Sequence, residues 1–219
     1  MAPMLVIPVG STEQHGPHLP LDTDTRIAVA VASATVEVLS DGDWMVAPAI
    51  SYGASGEHEG FPGTVSIGST ALELLLVEYG RSASGWASKL VFVNGHGGNV
   101  SALAAAVALL RYEGRDAGWV PCTAANADAH AGHTETSVLL HISPGDVWSD
   151  ELAPGNTAPL AELMPRMRSG GVAAVSERGV LGDPTTATAV EGERIFAEMV
   201  EGCVGRIGRW QPDRNGMLT

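Results

Sequence analysis

Residues 4–16, MLVIPVGSTEQHG, contain an apolar run of strand length that leads through a glycine into a polar loop. An unbroken apolar run of this kind is typical of a strand buried on both faces, as in a parallel sheet. Residues 90–93 and 119–122 are similar runs followed by polar loops, and the stretches between them have helical periodicity. This alternation predicts an α/β fold with a mostly parallel sheet.

The remaining elements are predicted from periodicity and from glycine and proline breaks. The predicted strands are residues 4–9, 44–47, 90–93 and 119–122, and the predicted helices are residues 24–39, 69–83, 99–113, 135–142 and 187–204. Residues 49–68 are expected to form an irregular loop and residues 172–180 a hairpin, while Ser69 and Asn99 are the expected N-caps of their helices. No repeat or linker divides the chain, so we expect a single domain over residues 1–219.

The charge and the cysteine content restrict the classes of partner. The formal net charge is −13, with Lys89 the one lysine, and such a chain repels phosphate backbones and anionic lipids. We therefore expect neither nucleic acid nor membrane as a partner. The two cysteines form no CxxC pair, and no export segment or apolar stretch of about 20 residues is present, which favours a cytoplasmic protein.

Histidines and carboxylates cluster in the loops that follow the predicted strands. Glu13 and His15 follow the first strand, His96 follows the third, and His130 and Glu135 follow the fourth. Carboxyl ends of parallel strands meet at one edge of a sheet, where open α/β folds bind ligands. Glu13 and His15 are two positions apart, so in extended backbone their side chains project to the same side.

These side chains are of the types that bind divalent transition metals. Asp24 can return to Glu13 and His15 at the start of the next helix, and one carboxylate can bridge two ions about 3.5–4 Å apart. Two divalent ions would be balanced by three carboxylates and one hydroxide, so the site could be buried. We predict two ions per subunit, Zn, Fe(II) or Mn, with His96 completing one of the two sites.

Other interpretations of these residues remain open. A single loop histidine is more often a surface or capping residue than a ligand, and the glycines around His96 could form only a turn. Their joint placement at strand ends favours a site. A phosphate-binding loop does not fit because no Gly-Lys-Ser/Thr follows, and a Ser–His–Asp hydrolase does not fit because no GxSxG elbow occurs.

Taken together, the motifs resemble those of the creatininase family. They are EQHG at residues 13–16 with Asp24, FPGT at 61–64, NGH at 94–96, and HAG at 130–132 with ETS at 135–137. The resemblance implies a three-layer α/β/α sandwich, a dinuclear metal centre, hydrolysis of cyclic or linear amides, and a homo-oligomer.

Some positions depart from the pattern of creatininase itself. Gly98 stands where that enzyme has a metal-binding glutamate, and Gly97 replaces an adjacent aromatic residue. Aromatic and acidic residues before the later histidine are replaced by Asn126, Ala127 and Ala129. The contacts to creatinine are therefore missing, and we expect Glu135 to supply the missing carboxylate ligand.

Further strings resemble a branch of the family that trims a modified ribosomal precursor peptide. They are SYGASGEH at residues 51–58, HAGHTETS at 130–137, GNTAPL at 155–160 and GVLGDP at 179–184. This resemblance implies a peptide amide as substrate and release of a C-terminal fragment made from Val and Tyr. Glu57, His58 and Gly97 are the expected substrate-binding residues.

The expected mechanism is attack on the amide by a metal-activated hydroxide. Glu135 and His130 are the expected catalytic residues, and His130 would protonate the leaving amine. A purely orienting role for His130 is an alternative. At the level of function, the alternatives are a small-molecule cyclic amide or formamide hydrolase of the same family, and a scaffold without catalytic activity.

Overall fold

A four-stranded parallel sheet forms the centre of the computed structural model, which describes residues 2–39 and 42–219. The strands are β1 (Met4–Val9), β2 (Trp44–Val46), β3 (Lys89–Asn94) and β4 (Ala117–Pro121), in the order β2-β1-β3-β4. Every neighbouring pair is parallel, and β1 pairs with β3 along its whole length. The prediction of an α/β fold with a mostly parallel sheet is confirmed.

Helices cover both faces of this sheet. Those in the described residues are α1 (Thr23–Val38), α2 (Gly68–Ala83), α3 (Val100–Tyr112), α4 (His133–Ile142), α5 (Leu160–Gly170) and α6 (Ala189–Arg209). Leu5 and Phe92 pack against side chains of α2 and α3, whereas Val6 and Val91 pack against side chains of α1, α4 and α6. The predicted three-layer α/β/α sandwich is therefore confirmed. In the described ranges, no helix is both long and apolar enough to cross a membrane.

The chain order places a crevice at the carboxyl ends of β1 and β3. From β1, the chain passes through α1 to β2 on one side, and then through α2 to β3 on the other side of β1. The connections after these two strands therefore diverge, which is the arrangement where open α/β sheets bind their ligands. The predicted ligand loops that follow β1 and β3 lie at this point.

Several local predictions are wrong. No hairpin forms over residues 172–180, because Val172 packs against α5 in a small apolar cluster and Val172–Ala174 is a 3-10 turn. Ser69 is not an N-cap, because α2 begins at Gly68. Asn99 does occupy the N-cap position of α3, as predicted, but its side chain makes no capping hydrogen bond because its amide binds two other loops.

The last two helices also differ from the predictions. The helix predicted over residues 187–204 begins at Ala189 and continues to Arg209. Helix α5 is not among the predicted helices, because it contains Pro165 and buries only Leu163 in the apolar interior. Both the core periodicity and the propensity that identify a helix are therefore weak there.

Candidate metal centre

Four predicted ligands meet at the carboxyl end of the sheet. The loop after β1 supplies Glu13 and His15, the first turn of α1 supplies Asp24, and the turn after β3 supplies His96. All four side chains are buried. The structure therefore brings together residues that lie up to 83 positions apart in the chain, counted from Glu13 to His96 (96 − 13).

Asn99 ties the loops of the site together. Its side-chain Nδ2 donates a 2.9 Å hydrogen bond to the carbonyl of Gly10, and its Oδ1 accepts one of 2.9 Å from the backbone N–H of Ala54. Nδ2 also lies 3.2 Å from Oδ1 of Asn94, the last residue of β3. A buried amide satisfied in this way holds the loops in a fixed relation.

Asp24 lies between the two histidines of the cluster. Its Oδ1 is 3.1 Å from Nε2 of His15, and its Oδ2 is 3.1 Å from Nδ1 of His96. The hydroxyl of Ser11 donates a 2.7 Å hydrogen bond to Oδ2. Each carboxylate oxygen thus faces a different imidazole, which is the arrangement of a carboxylate that bridges two cations.

The second nitrogen of each of these histidines faces a backbone carbonyl. Nδ1 of His15 is 3.1 Å from the carbonyl oxygen of Glu13, and Nε2 of His96 is 3.2 Å from that of Ala54. If these nitrogens carry the ring protons and donate to the carbonyls, the other nitrogen of each ring has a free lone pair that faces Asp24 and can bind a metal ion. Metal-binding histidines in proteins are commonly oriented in this way.

Glu13 provides the clearest evidence that a cation fits. Its side chain is fully buried, and within the described chain neither carboxylate oxygen accepts a hydrogen bond. Its neighbours are imidazole nitrogens: Nε2 of His96 at 3.2 Å and Nε2 of His58 at 3.4 Å. An unsatisfied buried acceptor costs about 1–3 kcal/mol and a charged one more, so a cation bound to Glu13 would remove a substantial penalty.

Without a cation, the cluster must hold protons instead. Burial, together with the charge of Asp24, raises the pKa of Glu13 to about 7. Burial alone would lower the pKa of His15 and of His96, but the neighbouring carboxylates outweigh it and raise these values to about 10 and about 9. The protons therefore occupy positions from which divalent cations would displace them.

A second group of donors lies beside His15. Glu135, near the start of α4, places Oε2 3.8 Å from Nε2 of His15 and accepts a 2.6 Å hydrogen bond from the backbone N–H of Ala131. Three groups of donor atoms are close enough to hold an ion: Glu13–Asp24–His96, His15–His130–Glu135 and Glu13–His58–His130. The first two groups share no residue, so the cluster has donors for two ions.

The imidazole of His130 is held with one nitrogen on the backbone and the other facing the cluster. Nε2 lies 2.8 Å from the carbonyl oxygen of Gln14, and Nδ1 lies 3.7 Å from Oε1 of Glu13. Burial, followed by the charges of His15 and His58, holds the pKa of His130 well below its ordinary value. The ring is therefore neutral, with the lone pair of Nδ1 available on the side of the cluster.

Gln14, which lies between two predicted ligands in the chain, has a role that was not predicted from the sequence. Its Oε1 accepts a 2.9 Å hydrogen bond from the N–H of Gly16, so its Nε2 must donate, and it lies 2.8 Å from Nδ1 of His58. Nδ1 of His58 therefore accepts this hydrogen bond, and its Nε2 lies 3.4 Å from Oε1 of Glu13. His58 thus lies beside a predicted ligand as well as lining the cavity, where the sequence predicts a substrate contact.

A cavity of about 420 Å³ opens onto the cluster. All three predicted substrate-binding residues, Glu57, His58 and Gly97, line it. A Cβ added at Gly97 would contact nothing, whereas one at Gly98 would lie 2.4 Å from Nε2 of His96 and 2.8 Å from Oε1 of Glu57. There is therefore no room for a side chain at position 98, whereas the space beside Gly97 is empty.

The unpredicted helix α5 forms the apolar wall of this cavity. Leu160, Met164 and Met167 line it, and Arg168 lies at the same wall. These side chains face the cavity instead of the interior between the sheet and the helices. A substrate with an apolar group next to its amide would fit such a surface.

Comparison with known proteins assigns the chain to a family. The creatininase family model, described as creatinine amidohydrolase, matches residues 1–207. A mycofactocin precursor peptide peptidase of Mycolicibacterium smegmatis is 80% identical, covering 100% of this chain and 90% of that protein. The peptidase of the same name from Mycobacterium tuberculosis is 67% identical, with the same coverage. A mutant creatininase described as the Zn-Zn type has a TM-score of 0.78 at 25% identity, covering 96% of this chain and 92% of that one. The chain belongs to the creatininase family.

Proposed function

We propose that the chain is a metal-dependent peptidase that trims the modified mycofactocin precursor peptide and releases its C-terminal fragment derived from Val and Tyr. The observation that carries the chemistry is Asp24, whose two oxygens face two different histidines beside the unsatisfied carboxylate of Glu13. The substrate is taken from the relatives at 80% and 67% identity, which are named for this peptide.

Two divalent ions per subunit, Zn, Fe(II) or Mn, fit the donor set. One would be held by Glu13, Asp24 and His96. The other would be held by His15, Glu135 and the Asp24 oxygen that faces His15, so that His130 of the second donor group stays available for proton transfer. When bound, such a pair lowers the pKa of a shared water and polarises the scissile carbonyl. Glu135, fixed by the N–H of Ala131, would orient the reacting groups as well as serve as a ligand.

His130 moves the proton in this proposal. Because the ring is neutral and its Nδ1 faces the cluster, it first accepts a proton from the attacking water and then donates it to the leaving nitrogen. The carbonyl of Gln14 holds the ring through Nε2 during both transfers. The geometry thus adds an initial base step to the acid role that the sequence predicts.

The walls of the cavity would orient the peptide. Glu57 and His58 lie beside the cluster, and the absence of a side chain at Gly97 leaves space for more than a small cyclic amide. We further propose a single catalytic domain over residues 1–219 that works as a homo-oligomer in the cytoplasm. The domain and the location rest on the sequence, and the homo-oligomer rests on the resemblance to the creatininase family.

Incubation with the modified precursor peptide, followed by mass spectrometry, tests the proposed substrate. We expect one shortened peptide and one small product with the mass of the Val-Tyr-derived fragment, and no turnover of creatinine or formamide under the same conditions. Turnover of the small amides without cleavage of the peptide would instead support the cyclic amide or formamide hydrolase. A metal-loaded protein inactive on all three substrates would support a scaffold.

A further inference from the structure

A second cavity, of about 480 Å³, lies next to the cavity of the metal centre. The two share three lining residues, Ala129, Leu160 and Leu181. Beyond these shared residues, the second cavity is lined by residues 156–159, residues 127–128 and residues 182–183. The second cavity is therefore adjacent to the cavity that opens onto the metal cluster.

The floor of the second cavity is fixed to the catalytic region by backbone hydrogen bonds. The N–H of Asn156 donates to the carbonyl of Val180, and the N–H of Leu181 donates to that of His130 at 2.8 Å. Backbone hydrogen bonds thus join residues 155–156 to residues 180–182, and join Leu181 to the loop of His130. These bonds hold the floor of the second cavity beside that loop.

The loop over the second cavity is held by its own side chains. Nδ2 of Asn156 donates a 2.9 Å hydrogen bond to the carbonyl of Val175, and its Oδ1 accepts one of 3.0 Å from the N–H of Ala158. The exposed Thr157 and the ring of Pro159 line the cavity. A lining that combines polar and apolar groups in this way suits a peptide segment.

Ala129 is one of the residues that line both cavities. It is exposed and presents only a methyl group to both of them. Each cavity alone is as large as a typical small-molecule pocket, which is roughly 300–1,000 Å³. A small amide would occupy only the first cavity, so the second is needed only by a longer substrate.

We infer that the second cavity binds the extended segment of the peptide that precedes the scissile bond, and that Ala129 keeps the passage between the cavities open. This inference rests on the proposed peptidase function. The cavity that opens onto the metal cluster would then hold the released fragment. The second cavity would hold several peptide residues on the amino-terminal side of the scissile bond.

The test uses the modified precursor peptide and a nested series shortened from its amino terminus. For the metal-loaded wild-type protein, we expect kcat/KM to fall at least tenfold as the segment assigned to the second cavity is removed. Ala129→Trp should lower kcat/KM for the long peptide at least tenfold more than for the shortest one. Metal content and Tm should stay at the wild-type values.

Two further variants make the result specific. Thr157→Trp fills the second cavity at a residue that does not line the first cavity, and it should raise KM for the long peptide. This variant keeps the test available if Ala129→Trp does not fold. Ala71→Trp places the same bulk on an exposed alanine of α2, outside both cavities, and should behave as wild type. Fluorescence anisotropy with a labelled long peptide measures the loss of affinity independently of turnover.

The outcomes separate the inference from the function on which it rests. Peptides of all lengths cleaved at equal rates, or tryptophan variants that bind and cleave the long peptide as wild type does, would overturn the second binding site and leave the peptidase intact. A wild-type protein that cleaves no peptide of any length would overturn the proposed function and the inference with it.

Discussion

Replacement of Asp24 by alanine is expected to release both metal ions and to lower peptide cleavage by at least about 10⁴-fold. Asp24 is the carboxylate with one oxygen 3.1 Å from His15 and the other 3.1 Å from His96, so its loss removes a ligand from both ion sites. Metal analysis of the purified variant and a cleavage assay check the two parts of this expectation.

Asp22→Ala is a matched control for that experiment. Asp22 lies two residues earlier, and its carboxylate accepts a 2.7 Å hydrogen bond from Arg26 outside the cavity. This variant should keep both ions and lose at most a few tenths of a kcal/mol of stability, as expected for an exposed ion pair. An Asp24→Ala protein that retains two ions and the wild-type rate would show that Asp24 does not bridge them.

Replacement of His130 by alanine is expected to lower kcat by about 10³-fold while both metal ions remain bound. The ring contributes no ligand in the proposed mechanism, and its Nδ1 carries the proton between water and leaving nitrogen. Because burial and the neighbouring histidines hold its pKa low, the wild-type rate should fall with acid only below the ordinary histidine range. The variant should lose this acidic limb of the pH profile.

His133→Ala is the control here, since His133 lies three residues later, at the start of α4, and its Nδ1 faces Thr186 instead of the cavity. It should retain the wild-type rate and the wild-type pH profile. Loss of one ion from His130→Ala would identify His130 as a ligand, as the group His15–His130–Glu135 would allow. A loss of less than about tenfold, with both ions present, would fit a residue that only orients its neighbours.

The architecture and the location of the site could be predicted from sequence because they depend on local patterns. The apolar runs of β1 and β3 are buried on both faces, so their sequences carry no polar alternation that could be mistaken for another fold. Carboxyl ends of parallel strands meet at one edge, which is enough to bring Glu13 and His96 together.

The parts that could not be predicted depend on distant partners. The amide of Gln14 is oriented by Gly16 beside it, but it donates to Gly179, 165 positions along the chain, and this contact leaves no local pattern. The apolar side chains of α5, such as Met164, face the substrate cavity, so the helix lacks the core stripe from which helices are recognised.

The expected hairpin over residues 172–180 fails for a related reason. Its valines have high strand propensity, but Val172 is used to cover Leu163 of the unpredicted α5. What remains of strand pairing there is a single bridge between Leu181 and His130. Instead of a hairpin, this part of the chain makes one bridge, and that bridge holds the backbone of His130, a proposed catalytic residue.

Titration of the chelator-treated protein with Zn, Mn or anaerobic Fe(II), with bound metal and peptide cleavage measured on the same samples, tests the central claim most directly. The two-ion centre predicts no cleavage at zero metal, a rise with occupancy, and saturation at two ions per chain. Cleavage by the metal-free protein at the full rate, or saturation at one ion per chain, would contradict it.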